Sequence, residues 1–90
     1  MVLLPGDLTH NLAAPAMLAL QEAIAGEPDG TVVVDASSLI NFDSSALAVL
    51  LACRREVLAR GKAFAVKNLH GRLRQLAGMY GIEPLLPANA

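Results

Sequence analysis

The chain has 90 residues, of which 54% are hydrophobic and 17% are charged, and its formal net charge at pH 7 is −1. This length predicts one domain, residues 1–90, with a single core. The charge balance does not favour a nucleic-acid-binding protein, no uncharged apolar run approaches the roughly 20 residues that span a bilayer, and no signal peptide is recognisable.

The segment before residue 31 predicts one short strand and one helix. Residues 1–4 are apolar and are followed by a Pro-Gly pair, which is typical of a brief edge strand. Residues 12–25 show helical periodicity, with Pro15 in the first turn and either Thr9 or Asn11 as the predicted N-cap. The Gly-Glu-Pro-Asp-Gly run that follows ends this helix.

The central part of the chain predicts a buried strand followed by a long helix. Residues 31–34 are an uncharged β-branched run, which is typical of a strand buried on both faces. A polar loop and a short apolar piece follow, and the triplet Asp43-Ser44-Ser45 then begins a helix that extends to residue 60. Gly61 is its predicted C-terminal cap.

The last third of the chain predicts one more strand and one more helix. Residues 62–67 form the strand, Asn68 is the predicted N-cap of a helix over residues 69–80, and Gly81 ends that helix. Residues 82–87 form an apolar tail that is expected to pack or pair at an edge of the sheet. The order of elements predicts an α/β fold, with a small mixed sheet of three or four strands covered by three helices.

The helix predicted to begin at Ser45 is apolar around an unusually wide arc. No charge occurs from Ser45 through Cys53, and apolar side chains cover roughly 200° of the helical wheel, whereas one sheet face needs about 100°. Either a second protein covers part of this helix, which is the hypothesis we adopt, or the helix is simply rich in alanine. The two apolar arcs consist of Leu47, Leu50, Leu51 and Leu58 on one side, and of Ala46, Val49, Cys53 and Val57 beside them.

Ser44 has a structural and a functional interpretation. As an N-cap residue it would only satisfy backbone N–H groups of the helix. As a functional residue it would contact a partner or be phosphorylated, and the charge of a phosphate, roughly −1.5 to −2, would disrupt an apolar docking surface beside it. A role as a catalytic nucleophile is not favoured, because neither histidine is close in sequence and no G-x-S-x-G motif occurs.

The other reactive side chains predict no catalytic or metal site. Cys53 is the only cysteine, so an intrachain disulfide is excluded, and it is expected to be a buried side chain in a cytoplasmic protein. His10 and His70 have no companions at metal-ligand spacing, and no phosphate-binding glycine motif occurs, so neither a metal nor a cofactor is expected. Basic residues gather at the start of the third helix, where they form either a solvated face or a contact with an acidic partner or anionic lipid. They are Lys67, His70, Arg72 and Arg74.

Three stretches of the sequence together resemble a STAS domain. They are VVVDAS at residues 32–37, FDSSALAVLL at residues 42–51 and GKAF at residues 61–64. The second stretch is similar to the D-S/T-S/G-G-L signature with which the second helix of STAS domains begins. The ending LRQLAGMYGI at residues 73–82 is most similar to the MlaB-like STAS subunit of the Mla phospholipid ABC transporter.

Two departures from the family pattern are visible. The glycine that is common after the serine pair is Ala46 here, which leaves the backbone less freedom. STAS domains also begin with a β-hairpin, and only its second strand fits into residues 1–4, so the first strand is expected to be missing. Whether the exposed sheet edge then pairs with another copy to form a homodimer is left open.

The resemblance implies a non-catalytic binding module. In the Mla branch the STAS subunit docks on the transporter's ATPase subunit, at the cytoplasmic face of the inner membrane, and supports transport that maintains outer-membrane lipid asymmetry. The residues expected to contact the partner are Asp43, Ser44, Ser45, Ala48, Leu51 and Ala52. The alternative is an anti-sigma-factor antagonist, in which Ser44 matches the serine whose phosphorylation by a partner kinase switches binding off.

Overall fold

The computed structural model describes residues 1–88, and the last two residues of the predicted domain, 89 and 90, lie outside the described residues. Short 3₁₀ turns at His10–Leu12 and Glu83–Leu85 supplement the regular elements. The strands and helices, in chain order, are β1 (Val2–Leu3), β2 (Asp7–Leu8), α1 (Ala13–Ala25), β3 (Thr31–Asp35), β4 (Asn41–Phe42), α2 (Ser45–Ala59), β5 (Ala63–Lys67) and α3 (Gly71–Met79).

The main sheet has three parallel strands in the order β1-β3-β5. Its register pairs Val2 with Val34 and Val32 with Phe64, so the β-branched run of β3 occupies the centre of the sheet, as its sequence predicts. Val34 and its neighbour Val32 are wholly buried. The α/β class, the three helices and the three-stranded size of the main sheet are therefore confirmed.

The strand directions differ from the mixed sheet that was predicted, because every strand pair among residues 1–88 is parallel. A mixed sheet needs an antiparallel neighbour, which a hairpin supplies. Here β1 reaches β3 only after α1, and β3 reaches β5 only after α2, and such crossovers join parallel strands. The apolar tail does reach the sheet as expected, since the Val66 N–H donates to the Pro87 carbonyl at 2.8 Å and Val66 bridges to Ala88.

A second, two-stranded parallel sheet joins β2 to β4, and the sequence did not predict it. Asp7 lies opposite Asn41 and Leu8 opposite Phe42, and the Ile40 N–H donates to the Gly6 carbonyl at 2.8 Å. Strands of two residues are too short to show a period of alternation. This small sheet matters because it fixes the segment that leads directly into the start of α2.

The ends of the helices combine confirmed and corrected predictions. Gly61 and Gly81 both adopt positive φ, at +74° and +71°, as C-terminal glycines should. The predicted caps of α1 are wrong, since that helix begins without a side-chain cap and a 3₁₀ turn leads into it. Asn68 does not cap α3 either: it adopts φ +59° and donates its amide to Asp35. His70 caps α3 instead, because its Nδ1 accepts the Arg72 N–H at 3.1 Å.

The core lies where the helices meet the main sheet, and its wholly buried side chains come from every layer. Leu50 of α2, Ile24 of α1 and Leu73 of α3 are each 0% exposed. The two long helices α1 and α2 lie against each other, and α2 also packs on β5. No helix within residues 1–88 combines the length and apolar character needed to cross a bilayer.

Candidate functional site

Asp43 fixes the start of α2. Its Oδ1 accepts the Ser45 N–H at 2.8 Å, which caps the helix, and its Oδ2 accepts the His10 N–H at 3.1 Å. The same carboxylate therefore ties the start of α2 to the turn that leads into α1. The bond from the Ser45 N–H, followed by that from His10, holds the pKa of Asp43 below its ordinary value, because both stabilise the ionised form.

Ser44 is exposed and does not perform the capping role. Its backbone is helical, with φ −62° and ψ −17°, and within residues 1–88 its side chain makes no capping hydrogen bond. Within the Asp-Ser-Ser triplet, Asp43 rather than Ser44 therefore caps α2. The Ser44 hydroxyl lies at the N-terminal end of α2, where the helix dipole favours an added anion.

Contacts within the domain account for most of the wide apolar arc of α2. The buried side chains include the whole of the second predicted arc and all of the first except Leu51, which is half-buried, and Leu58, which is exposed. A helix that packs on a sheet and on a neighbouring helix buries more than the stripe needed for one sheet face. The arc width by itself therefore does not indicate a partner. The buried residues are Ala46, Leu47, Val49, Leu50, Cys53 and Val57.

The opposite side of α2 carries four of the six predicted contact residues. Ser44 and Ala48 are exposed, and Leu51 and Ala52 are half-buried. At 100° per residue these four share one face, which we call the outer strip. Asp43 is exposed beside it, and Ser45 is half-buried. The outer strip is uncharged over two turns of a helix, which is uncommon for a solvent-facing surface of this kind.

A cluster of Phe42, His70 and Arg72 adjoins the start of α2, and the sequence did not predict it. The rings of Phe42 and His70 lie 5.3 Å apart, and the Arg72 guanidinium carbon is 6.0 Å from the Phe42 ring centroid. The sequence did show that basic residues gather at the start of α3. Their proximity to Phe42 depends on the β2–β4 pairing, which has no sequence signal. The other two basic residues predicted near this helix are Lys67 and Arg74. Lys67 is exposed, and the Arg74 guanidinium Nη1 lies 3.9 Å from the Glu83 Oε1.

Two further polar groups serve the fold. Cys53 is wholly buried, as predicted, and burial raises the pKa of its thiol to about 11, so it stays protonated at neutral pH. Asp35 is only 6% exposed, and its Oδ1 accepts the Ser37 N–H at 2.9 Å and the Asn68 amide at 3.2 Å. These bonds, the Ser37 N–H first, lower the pKa of Asp35. Its carboxylate thus joins the loops that follow β3 and β5.

A parallel sheet of three strands with three helices, and an uncharged helix face that begins at a serine pair, together define a small α/β interaction domain. The family model described as "Mlab, STAS domain" matches residues 1–87, and the chain belongs to this family. The resemblance seen in the sequence is thereby confirmed for the STAS domain of MlaB type. A search of curated proteins found no significant match. STAS domains are in general non-catalytic and act through contacts with other proteins.

Proposed function

We propose that the protein is a non-catalytic STAS subunit that docks on the ATPase subunit of an Mla-type phospholipid ABC transporter. It would support assembly or activity of that transporter in maintaining outer-membrane lipid asymmetry. The family match over residues 1–87 carries this proposal, because its description names the MlaB type. In this role the whole chain acts as one domain at the cytoplasmic face of the inner membrane, without catalysis or a cofactor.

The outer strip supports this proposal with a suitable surface. Ala48 and Ala52 are small, so a partner helix or loop can approach the α2 backbone closely, and Leu51 offers an apolar contact between them. Asp43 holds the helix start rigid through its two hydrogen bonds. A rigid surface loses little conformational entropy when a partner binds. Ser44 and Ser45 at the same end can exchange hydrogen bonds with the partner.

Coexpression with ATPase subunits of Mla-type transporters tests this proposal. The wild-type chain is expected to form a stable complex, and Ala48→Glu is expected to weaken it by about a hundredfold, because a desolvated, unpaired carboxylate is costly at an interface. Leu51→Glu should act in the same direction. Ala14→Glu is the matched control, since Ala14 is an exposed alanine on α1 rather than on α2. Full binding by both α2 variants, with unchanged circular dichroism, would contradict the proposal.

A second candidate is an anti-sigma-factor antagonist that is switched at Ser44. The observation that favours it is the exposed Ser44 side chain, which caps nothing within residues 1–88 because Asp43 does so. A phosphate there would place about −1.5 to −2 charges beside the apolar outer strip and next to the Asp43 carboxylate. Both effects would oppose docking of an apolar partner.

Intact-mass spectrometry of the protein isolated from cells in several growth states distinguishes the two candidates. The antagonist hypothesis expects a single phosphate that is absent from Ser44→Ala and retained by Ser45→Ala. An unmodified mass in every growth state, together with a stable complex with the ATPase, would support the transporter role instead.

A further inference from the structure

Arg72 differs from the arginines that are paired within the domain. The Arg60 Nε lies 3.5 Å from the Glu56 Oε2, and Arg74 lies close to Glu83. Arg72 is exposed and forms no ion pair within residues 1–88. Its position is nevertheless defined, by neighbours that carry no negative charge.

Those neighbours are His70 and Phe42. The His70 Nδ1 accepts the Arg72 N–H at 3.1 Å, which holds the Arg72 backbone at the start of α3. The Arg72 guanidinium carbon lies 6.0 Å from the Phe42 ring centroid, at the outer limit of a cation–π contact. The Phe42 ring in turn contacts the His70 ring, with the centroids 5.3 Å apart. A ring face does not use the guanidinium N–H groups, so these remain able to donate to an anion.

A guanidinium held in this way is suited to binding a carboxylate. Its N–H groups form a planar fork that matches the two oxygens of a carboxylate. Surface ion pairs usually contribute little, because two mobile side chains must be ordered and water screens the charges. The ring and the helix cap already restrict Arg72, and a docked protein would exclude water from the pair. Both costs are therefore smaller here than at an ordinary surface arginine.

Arg72 also lies next to the surface on which the proposed function depends. Phe42 precedes Ser44 by two residues, which span at most about 7 Å. Ser44 is the first residue of the outer strip. A protein that covers the strip as far as Ser44 is therefore within reach of the guanidinium that stands over the Phe42 ring.

We propose that Arg72 binds the carboxylate of an aspartate or glutamate in the protein that docks on the outer strip, and that Phe42 positions the Arg72 guanidinium for this contact. The inference rests on the proposed function, since it assigns an acidic group to the same partner. The outer strip itself offers uncharged contacts. Arg72 adds a charged contact at one end of the strip, and a charged contact fixes the orientation in which a partner binds.

The charges around Arg72 favour a protein carboxylate over an anionic membrane. Segments that recognise anionic lipid carry about four to eight Lys or Arg residues in one patch. Here Lys67 and Arg72 are exposed, whereas Arg74 lies 3.9 Å from Glu83. The exposed Asp43 carboxylate stands nearby at the start of α2, and the whole chain has a net charge of −1. This balance gives little attraction to a negative surface, but one fixed guanidinium is enough for one carboxylate.

Binding of the purified chain to the ATPase subunit of an Mla-type transporter, measured at about 50 and 500 mM NaCl, tests the inference. Arg72→Gln is expected to weaken binding at least about tenfold at low salt, because it removes a charge-assisted hydrogen bond. It should also reduce the salt dependence, since a neutral amide is not screened. Arg72→Lys should restore only part of the affinity, because an ammonium group cannot bind both oxygens in the same plane. Phe42→Leu should weaken binding about two- to fivefold through loss of the ring face.

Lys67→Gln is the matched control, because it removes the same charge from an exposed side chain at the end of β5 that does not stand over the Phe42 ring. Circular dichroism should show that every variant is folded. Equal weakening by Lys67→Gln and Arg72→Gln would overturn the inference, since it would indicate general electrostatic attraction.

Three other results would also overturn the inference. A complex that Ala48→Glu disrupts but Arg72→Gln leaves intact would do so while the proposed function stands. Absence of any complex with the wild-type chain would overturn both. Binding of the wild-type chain to phosphatidylserine vesicles that is lost in Arg72→Gln, with the ATPase complex unchanged, would assign Arg72 to lipid instead.

Discussion

The inner and outer faces of α2 have similar residue types but different surroundings. Leu50 and Leu51 are adjacent leucines, yet Leu50 is wholly buried in the core while Leu51 is half-buried on the outer strip. The next two residues show the same contrast in burial, since Ala52 is half-buried and Cys53 is wholly buried. The inner face therefore accounts for most of the stability that α2 supplies, whereas on the outer strip Leu51 packs partly against the core and Ala48 is exposed. The exposed, uncharged part of this surface, at Ser44 and Ala48, is the strongest local sign of a docking role.

Replacement of an inner-face leucine is expected to have the largest effect on stability. Leu50→Ala should lower the free energy of unfolding by about 3–5 kcal/mol, because it opens a cavity at a side chain with 0% exposure. The measurement is urea denaturation followed by circular dichroism. A loss below about 1 kcal/mol would mean that the two faces are not as different as the burial indicates.

Replacement of the buried thiol is expected to rank second. Cys53→Ser should cost about 1–3 kcal/mol, because a hydroxyl needs a hydrogen bond that the apolar interior does not readily supply. Cys53→Ala is the control and should cost less, since it removes the sulfur without adding a polar group. Equal stability of the serine and wild-type proteins would show that the hydroxyl finds a partner there.

The pH dependence of stability tests how Asp43 fixes the helix start. The pKa of Asp43 in the folded protein lies below its ordinary value of 3.8, so the unfolded chain binds protons first as the pH falls. The stabilisation is therefore fully present above pH 3.8 and is lost as the pH falls through the folded value. Asp43→Asn keeps an acceptor for the Ser45 N–H but removes the titration. The Asp43→Asn variant should therefore show a smaller fall in Tm on acidification than the wild type. Some fall should remain, because the pKa of Asp35 is also lowered in the folded protein.

Substitution on the outer strip is expected to have the smallest effect on stability. Ala48→Glu should change the free energy of unfolding by no more than about 0.5 kcal/mol, because the side chain is exposed on a helix. The same substitution is expected to abolish most of the binding to the ATPase. A large loss of stability in Ala48→Glu would show that the strip belongs to the fold, and binding data from that variant would then carry no weight.

Local patterns predicted the longer elements, whereas contacts between distant residues did not appear in the sequence. The β-branched run of β3, the long apolar helix α2 and the glycines at 61 and 81 each carry their own signal. The β2–β4 pairing has none, since two-residue strands show no periodicity. The cap of α3 was assigned to Asn68, a residue type that favours this position, but the Asp35 carboxylate attracts its amide and His70 takes the role.

For the candidate site, the sequence indicates which residues of α2 are candidates, and the fold shows which of them remain exposed. Ala48 and Leu51 are predicted contact residues because the helix is more apolar than one sheet face requires, and Ser44 because it stands in the serine pair at the helix start. The domain itself covers most of that apolar arc, through α1. The remaining outer strip could be identified only once the packing of α1 against α2 was known, since sequence periodicity does not state what lies beside a helix.

The carboxylate of Asp43 accepts two backbone amides, those of His10 and Ser45, from separate parts of the chain. These two amides form a natural pair of spectroscopic reporters. Any ligand that moves or protonates this carboxylate should shift both of their NMR signals together, whereas a ligand bound elsewhere should leave the pair unchanged. A titration followed at these two signals would therefore locate a binding event before any complex is crystallised.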